Sequence, residues 1–376
     1  MKVGFCGRWD PGDKNAWSGI YYSTFREIRK YYEVEAFHYT WPPYIREWLI
    51  LHKQVQKLSK RKVAVEFLKG YAKHFSRQLD KDLLKRKVDL LYVPAAPQLI
   101  AYCTTNIPVI FMTDATFLRI QGYYDSFQNL APYNIRQGVE MDKRAFEKSA
   151  HSMLASEWAK DSAVKDYGIP PSKLTVAPFG ANLDRVPLPN ELKNGRNDTC
   201  KLLFIGVEWE RKGGQIALDT FYVLQKSGVP VELMIIGCMP PNPLNDKNIT
   251  VIPFLNRNIP EEATRLFTIF QNSDFLLLPT RAECAGIVFS EASAFGIPSV
   301  TTDTGGVKTY VENGVNGYTL PLTAGASDYA TLIKKIYMDE KNYSQLCFTS
   351  RQRFAEQLNW ETWGKTFCRI ADALIN

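Results

Sequence analysis

Two acidic residues stand eight positions apart in the stretch Pro279-Thr280-Arg281-Ala282-Glu283-Cys284-Ala285-Gly286-Ile287-Val288-Phe289-Ser290-Glu291. The stretch follows an apolar run and leads into a helix-like one. That predicts a place at the carboxyl edge of a parallel sheet, where open α/β sheets bind ligands. Glu283 falls in the loop and Glu291 inside the helix. Eight residues of helix span about 12 Å along the axis, whereas the paired carboxylates of glycoside hydrolases lie about 5–9.5 Å apart. The spacing suits two contacts along one elongated ligand better than an acid and a base on one bond. Ala292, Ala294 and Phe295 surround Glu291 and predict a buried carboxylate, which needs partners. The plainer alternative is a solvated glutamate on a helix face. The backbone N–H groups near Gly286, Ile287 and Val288, at the helix start, suit an anion.

A second loop sets cations beside glycines. In Phe204-Ile205-Gly206-Val207-Glu208-Trp209-Glu210-Arg211-Lys212-Gly213-Gly214 a strand ends, two adjacent cations follow, and a glycine pair opens a helix. Glycine admits close backbone approach, and a helix start favours negative charge. Arg grips a phosphate as a fork while Lys acts as a point charge. A solvated turn is the alternative. In the first half, the loop from Gly7 through Trp9, Asp10 and Trp17 to Ser18 and Gly19 lies between a strand and a helix. Ser18 and Gly19 are its candidate backbone contacts for an anion. An ordinary surface loop is the other reading, against which the two tryptophans weigh modestly. No metal site is visible: the Asp-x-Asp at Asp80-Lys81-Asp82 reads as surface charge.

The elements that must carry these loops alternate short apolar runs with amphipathic, helix-length stretches, the pattern of parallel sheets covered by helices. In the first half, residues 3–6, 89–93, 108–112, 152–155 and 174–178 read as strands. The segment 182–200 holds Pro187, Pro189, Asn190, Asn194, Gly195, Asn197 and Asp198 and reads as a linker. The alternation then restarts. Strands are predicted at 202–205, 231–236, 250–254, 274–279 and 299–302, and helices at 215–226, 260–271 and 287–295. This gives two α/β domains, 1–182 and 183–359, with a helix at about 360–376 packing back on the first.

Composition excludes several classes. The 376 residues suggest two or three domains, and 45% hydrophobic with 23% charged residues is ordinary globular chemistry. The net charge of +7 is too small to imply nucleic-acid binding. No apolar run reaches the roughly 18 residues of a membrane span. The start, Met1-Lys2-Val3-Gly4-Phe5-Cys6, lacks a signal-peptide layout, and seven scattered cysteines form no disulfide or zinc pattern. A cytoplasmic location is the expectation. One segment stands out: residues 41–90 hold 13 Lys/Arg against five Asp/Glu, with Trp41, Tyr44, Trp48, Leu49, Ile50, Leu51, Val55 and Leu58 among them. Such a basic amphipathic stretch either docks peripherally on an anionic membrane surface or simply covers the first sheet.

Glu-x7-Glu followed by Ala292-x-Ala294-x-Gly296-x-Pro298 resembles the signature of the GT4 family of retaining, nucleotide-sugar-dependent glycosyltransferases (glycosyl transferases group 1). Gly305-Gly306 with Glu312-x-Gly314-x-x-Gly317 is similar to its downstream pattern. Ser156-Glu157-Trp158, Tyr167-Gly168 and Pro178-Phe179-Gly180-Ala181-Asn182 resemble the end of its first domain. The resemblance implies the GT-B fold, two Rossmann-like domains with parallel sheets facing across a cleft. It implies that Glu283 contacts the transferred sugar, that the backbone from Ala285 through Gly286 and Ile287 to Val288 meets sugar and diphosphate, and that Glu291 accepts from the ribose. Lys212 and Gly213 match a diphosphate-binding pair, and Phe254 is counted among the donor contacts. Many members carry an Arg after the glycine that matches Gly206; Val207 stands here, so either Arg211 supplies the second cation or the site has one fewer. Asp114 stands where many carry a His at a strand end. It either meets sugar hydroxyls or acceptor, or caps a helix. The loop of Trp17, Ser18 and Gly19 would reach acceptor and diphosphate.

The resemblance therefore implies a retaining, metal-independent transferase without a resident cofactor, with Glu283, Lys212 and Asp114 as its catalytic candidates. Its partners would be a nucleotide-diphosphate sugar and a hydroxyl acceptor on a carbohydrate or lipid carrier, in a polysaccharide or glycolipid pathway. The alternatives are another GT-B enzyme, such as a sugar-nucleotide epimerase, and a non-catalytic partner subunit docking through residues 41–90.

Overall fold

The alternating pattern resolves into two six-stranded sheets in which every adjoining pair of strands is parallel. A computed structural model describes residues 1–40, 50, 60–193 and 195–375. The chain divides into two units: Met1–Ala177 together with the stretch from Gly364 on, and Pro178–Trp363.

In the first unit the strands are β1 (Lys2–Gly7), β2 (Glu33–His38), β3 (Leu90–Pro94), β4 (Val109–Thr113), β5 (His151–Leu154) and β6 (Leu174–Val176). Their order is β2-β1-β3-β4-β5-β6. All of β3 and β4 is buried, as strands covered on both faces must be. The chain turns from one side of β1 to the other between β2 and β3, so the loops after β1 and β3 flank a switch point. The helix Lys69–Leu83 buries Tyr71, Ala72, Phe75 and Leu79 and leaves Lys73, Arg77 and Lys81 exposed. Trp41, Tyr44, Trp48, Leu49, Leu51, Val55 and Leu58, named above in the basic segment, lie outside the described residues.

The second unit holds β7 (Cys200–Ile205), β8 (Val231–Ile236), β9 (Ile249–Ile252), β10 (Phe275–Leu278), β11 (Ser299–Thr302) and β12 (Gly317–Leu320), ordered β12-β11-β10-β7-β8-β9. Counted within the unit and read from β9, the strands run third, second, first, fourth, fifth, sixth, the order of dinucleotide-binding doubly wound sheets. The switch point lies between β7 and β10. The α/β architecture with two Rossmann-like halves is thus present. The helix Trp360–Ile375 starts in the second unit. From Gly364 it belongs to the first, where Phe367 meets the rings of Tyr32 and Tyr92 and Asp372 accepts from the Tyr32 hydroxyl at 2.7 Å.

The boundary between the units falls before Pro178, ahead of the expected one at 182. Side chains of the second unit hold residues 179–182. Tyr310 Oη accepts from Phe179 N–H at 3.0 Å, Ser290 Oγ donates to the Phe179 carbonyl at 2.8 Å, and Phe179 stacks on Trp360. Arg257 donates to the Asn182 carbonyl at 2.8 Å, and Trp360 Nε1 to Asn182 Oδ1 at 3.0 Å.

Candidate functional site

The loop after β7 and the loop after β10 leave adjacent strands at the switch point, and hydrogen bonds stitch them together. The Arg281 N–H donates to the Arg211 carbonyl at 2.7 Å, and the Thr280 hydroxyl lies 3.2 Å from the same oxygen. The Gly306 N–H, from the loop after β11, donates to the Glu283 carbonyl at 3.0 Å. Three neighbouring strand ends thereby fix the backbone of Glu283.

Two glycines make the close approach possible. Gly213 has φ +72°, and a Cβ there would stand 2.0 Å from the Pro279 carbonyl oxygen. At Gly206 a Cβ would fall 2.5 Å from Lys212 Cγ, so the lysine stem lies over the space a side chain would fill. The ammonium of Lys212 then reaches Glu283 and donates to its Oε2. Both side chains are largely buried, and each answers the other's charge.

Arg211 sits beside this pair. Its Nη1 donates to the Ala282 carbonyl at 3.0 Å and stands 4.0 Å from Glu283 Oε2. Its Nε and Nη2 grip Glu208 at 3.0 and 2.9 Å. The guanidinium's hydrogen bonds hold the Glu208 carboxyl below its ordinary range. The second cation is therefore near Glu283, and most of its fork is given to Glu208.

The helix Ile287–Ala294 starts after Gly286, so Ala285, Gly286, Ile287 and Val288 form its N-terminal turn, three residues beyond Glu283. Glu291 is fully buried in that helix, as its apolar neighbours predict. Its carboxylate is held by a residue that no sequence motif singled out: Arg257 Nη2 donates to Oε2 at 3.0 Å, and Nη1 donates to Oε1. The signal for this partner was Glu291 itself, since a buried carboxylate requires a partner; Arg257 lies in the loop after β9. Phe254 occupies the same loop and is largely exposed.

The remaining candidates belong to the first unit. Trp17, Ser18 and Gly19 follow β1 with φ of 47°, 55° and 82°, three consecutive left-handed residues before the helix Ile20–Ile28. For Trp17 and Ser18 that conformation is strained, and such strain clusters at ligand-binding loops. Asp114 follows β4. The cap of the next short helix, Phe117–Ile120, is Thr116, whose hydroxyl accepts from the Arg119 N–H at 3.3 Å. The Phe117 N–H is taken by the buried Asp142 at 2.5 Å, and burial pushes the Asp142 carboxyl up to about 7. Among the described residues no group of three or more His, Cys, Asp or Glu side chains is placed to hold a metal ion. No described helix is long and apolar enough to cross a membrane.

Residues 199–339 match the family model described as Glycosyl transferases group 1. The D-inositol 3-phosphate glycosyltransferase of Paenarthrobacter aurescens is 26% identical over 242 residues, covering 59% of this chain and 58% of that protein. The capsular polysaccharide biosynthesis glycosyltransferase CapM of Staphylococcus aureus is 24% identical over 230 residues, covering 57% and 58% respectively. The matched stretch thus spans 58% of the length of each of these curated relatives. Among solved structures, Anabaena HepE in complex with UDP and glucose is similar at a TM-score of 0.65 and 14% identity, over 99% of this chain and 100% of that one. At that identity the likeness is one of fold.

Proposed function

We propose that this chain, which matches the group 1 glycosyltransferase model over residues 199–339 and has the GT-B fold, is a glycosyltransferase of that group and moves a sugar from a nucleoside-diphosphate sugar to an acceptor hydroxyl. The observation that carries the reading is the Lys212–Glu283 pair at the switch point between β7 and β10. A diphosphate recruits Lys212 and the helix start at Gly286–Val288, and the sugar hydroxyls recruit Glu283. Glu291 serves the ribose.

The reaction we propose retains the anomeric configuration. The donor C1–O bond breaks first, leaving positive charge on the sugar and negative charge on the diphosphate. Lys212, Arg211 and the helix start stabilise the growing negative charge. The departing phosphate oxygen takes the proton of the acceptor hydroxyl, whose oxygen forms the new C1–O bond on the same face. The chain contributes positioning and electrostatic stabilisation, and no metal enters the scheme. Asp114 and the Trp17–Gly19 loop serve the acceptor. The test is product analysis by proton NMR with a panel of UDP-, GDP- and ADP-sugars in the presence of EDTA. A product with the donor's anomeric configuration supports the scheme. An inverted product, or turnover abolished by EDTA and restored by Mg²⁺, overturns its finer parts; interconversion of donor sugars without transfer points to an epimerase.

We further propose a peripheral contact with an anionic membrane, consistent with a lipid-linked acceptor. Lys73, Arg77, Lys81 and Lys85 follow one another at four-residue spacing on the exposed side of the helix Lys69–Leu83 and just beyond it. Such a row is attracted to anionic headgroups by roughly 1 kcal/mol per cation. Sedimentation with phosphatidylglycerol vesicles, against phosphatidylcholine vesicles, tests it; equal recovery with both contradicts it.

A further inference from the structure

Arg257 belongs to no motif in the sequence, yet it holds the carboxylate expected to read the ribose. Glu291 has no solvent-exposed surface, whereas 23% of the Arg257 side chain is exposed. The guanidinium spans both carboxylate oxygens and is itself tied to the Asn182 carbonyl at 2.8 Å. The Asn182 side chain is fixed in turn by Trp360 Nε1. A carboxylate offers about four lone-pair sites. The fork uses two, so capacity remains for hydroxyl donors.

We propose that Arg257 is the positioning residue for ribose recognition. It holds the enclosed Glu291 carboxylate in one orientation, and it yields one of its two hydrogen bonds when a ribose hydroxyl arrives. The inference rests on reading this site as one for a nucleoside-diphosphate sugar. Without the fork, the Glu291 carboxylate loses the partner that orients it and turns away. A turned carboxylate presents fewer lone pairs to the ribose hydroxyls. Discrimination between ribose and deoxyribose therefore depends on Arg257. Diphosphate binding at Lys212, on another loop, does not.

The experiment measures dissociation constants by calorimetry for UDP, GDP and ADP and for their 2′-deoxy counterparts. It uses the full chain, as wild type and as the Arg257→Met, Arg257→Lys and Glu291→Gln variants. For the diphosphate that binds tightest, wild type is expected to prefer the ribonucleotide by about tenfold or more. Arg257→Met and Glu291→Gln bring that ratio close to one, while affinity for inorganic pyrophosphate stays within about twofold. Arg257→Lys, which restores charge without the fork, regains part of the ratio. An Arg257→Met variant that weakens both nucleotides equally and keeps the wild-type ratio overturns the proposal. So does a wild type that binds the diphosphate without preferring ribose. Failure of wild type to bind any nucleoside diphosphate overturns the donor reading itself. If Arg257→Met does not fold, Arg257→Lys decides, and an unchanged ratio there counts against the proposal.

Discussion

Lys212 and Glu283 are ion-paired although they come from loops that follow different, adjacent strands. The pair satisfies two groups that would otherwise be costly to bury, and on the proposed reading each would partner one half of a sugar diphosphate. On that reading a sugar diphosphate would split the pair by offering phosphate to the ammonium and hydroxyls to the carboxylate.

Removal of the carboxylate should therefore separate turnover from nucleotide binding. Glu283→Gln is expected to lower kcat by about a hundredfold or more. Nucleoside-diphosphate affinity should be retained or rise, because Lys212 no longer has an anion to leave. Steady-state kinetics and calorimetry on the same preparation check this. Turnover within a few-fold of wild type would remove Glu283 from the site.

Gly213→Ala should be costly in stability. The new Cβ would meet the Pro279 carbonyl oxygen at 2.0 Å in a left-handed backbone. The expected loss is about 2 kcal/mol or more, read from urea unfolding. Gly206→Ala presses on the flexible Lys212 stem instead. It should cost less stability and show its effect in nucleotide affinity. Equal stability losses in the two variants would contradict this account of the loops.

Asp142 should impose a pH dependence on the first unit. Its folded value is about 7, raised by burial and opposed by the Phe117 N–H, against an unfolded value near 3.8. Between these values the folded chain binds the extra proton. The contribution to stability is thus full below the lower value and is lost as pH rises through about 7. Asp142→Asn should flatten this part of the profile between pH 5 and 8, a difference on the order of 2 kcal/mol across that range. Parallel urea-midpoint profiles for the two proteins would contradict it.

Buried strands such as Phe275–Leu278 and Leu90–Pro94 were legible because apolar residues run without interruption through them; Ser299–Thr302 and Val231–Ile236 also occupy the expected residues. Two edge strands were not. Glu33–His38 carries two glutamates, and Gly317–Leu320 opens on a glycine within a turn-like sequence. Neither makes an apolar run, and only pairing with β1 and β11 defines them. The site divides in the same way. Glu283, Lys212 and Glu291 announce themselves through glycines and spacing. Arg257 lies in Leu255-Asn256-Arg257-Asn258, which has the composition of any polar loop. Its partner is 34 positions away, a distance that periodicity does not bridge. The boundary at Pro178 escaped for a related reason. The loop chemistry of 182–200 is strong, but Tyr310, Ser290, Arg257 and Trp360 decide where residues 179–182 belong.

Whether Lys212 holds a nucleoside diphosphate is read from thermal unfolding with and without ligand. A ligand that binds only the folded state at a hundred times its Kd adds about 2.7 kcal/mol. Millimolar UDP, GDP or ADP is expected to raise the midpoint of the wild-type protein. In Lys212→Ala the same nucleotide should give a much smaller shift, its affinity lowered about ten- to a hundredfold by the lost charge-assisted bond. No shift with any of the three, or equal shifts in the two proteins, would contradict a nucleoside diphosphate held by Lys212.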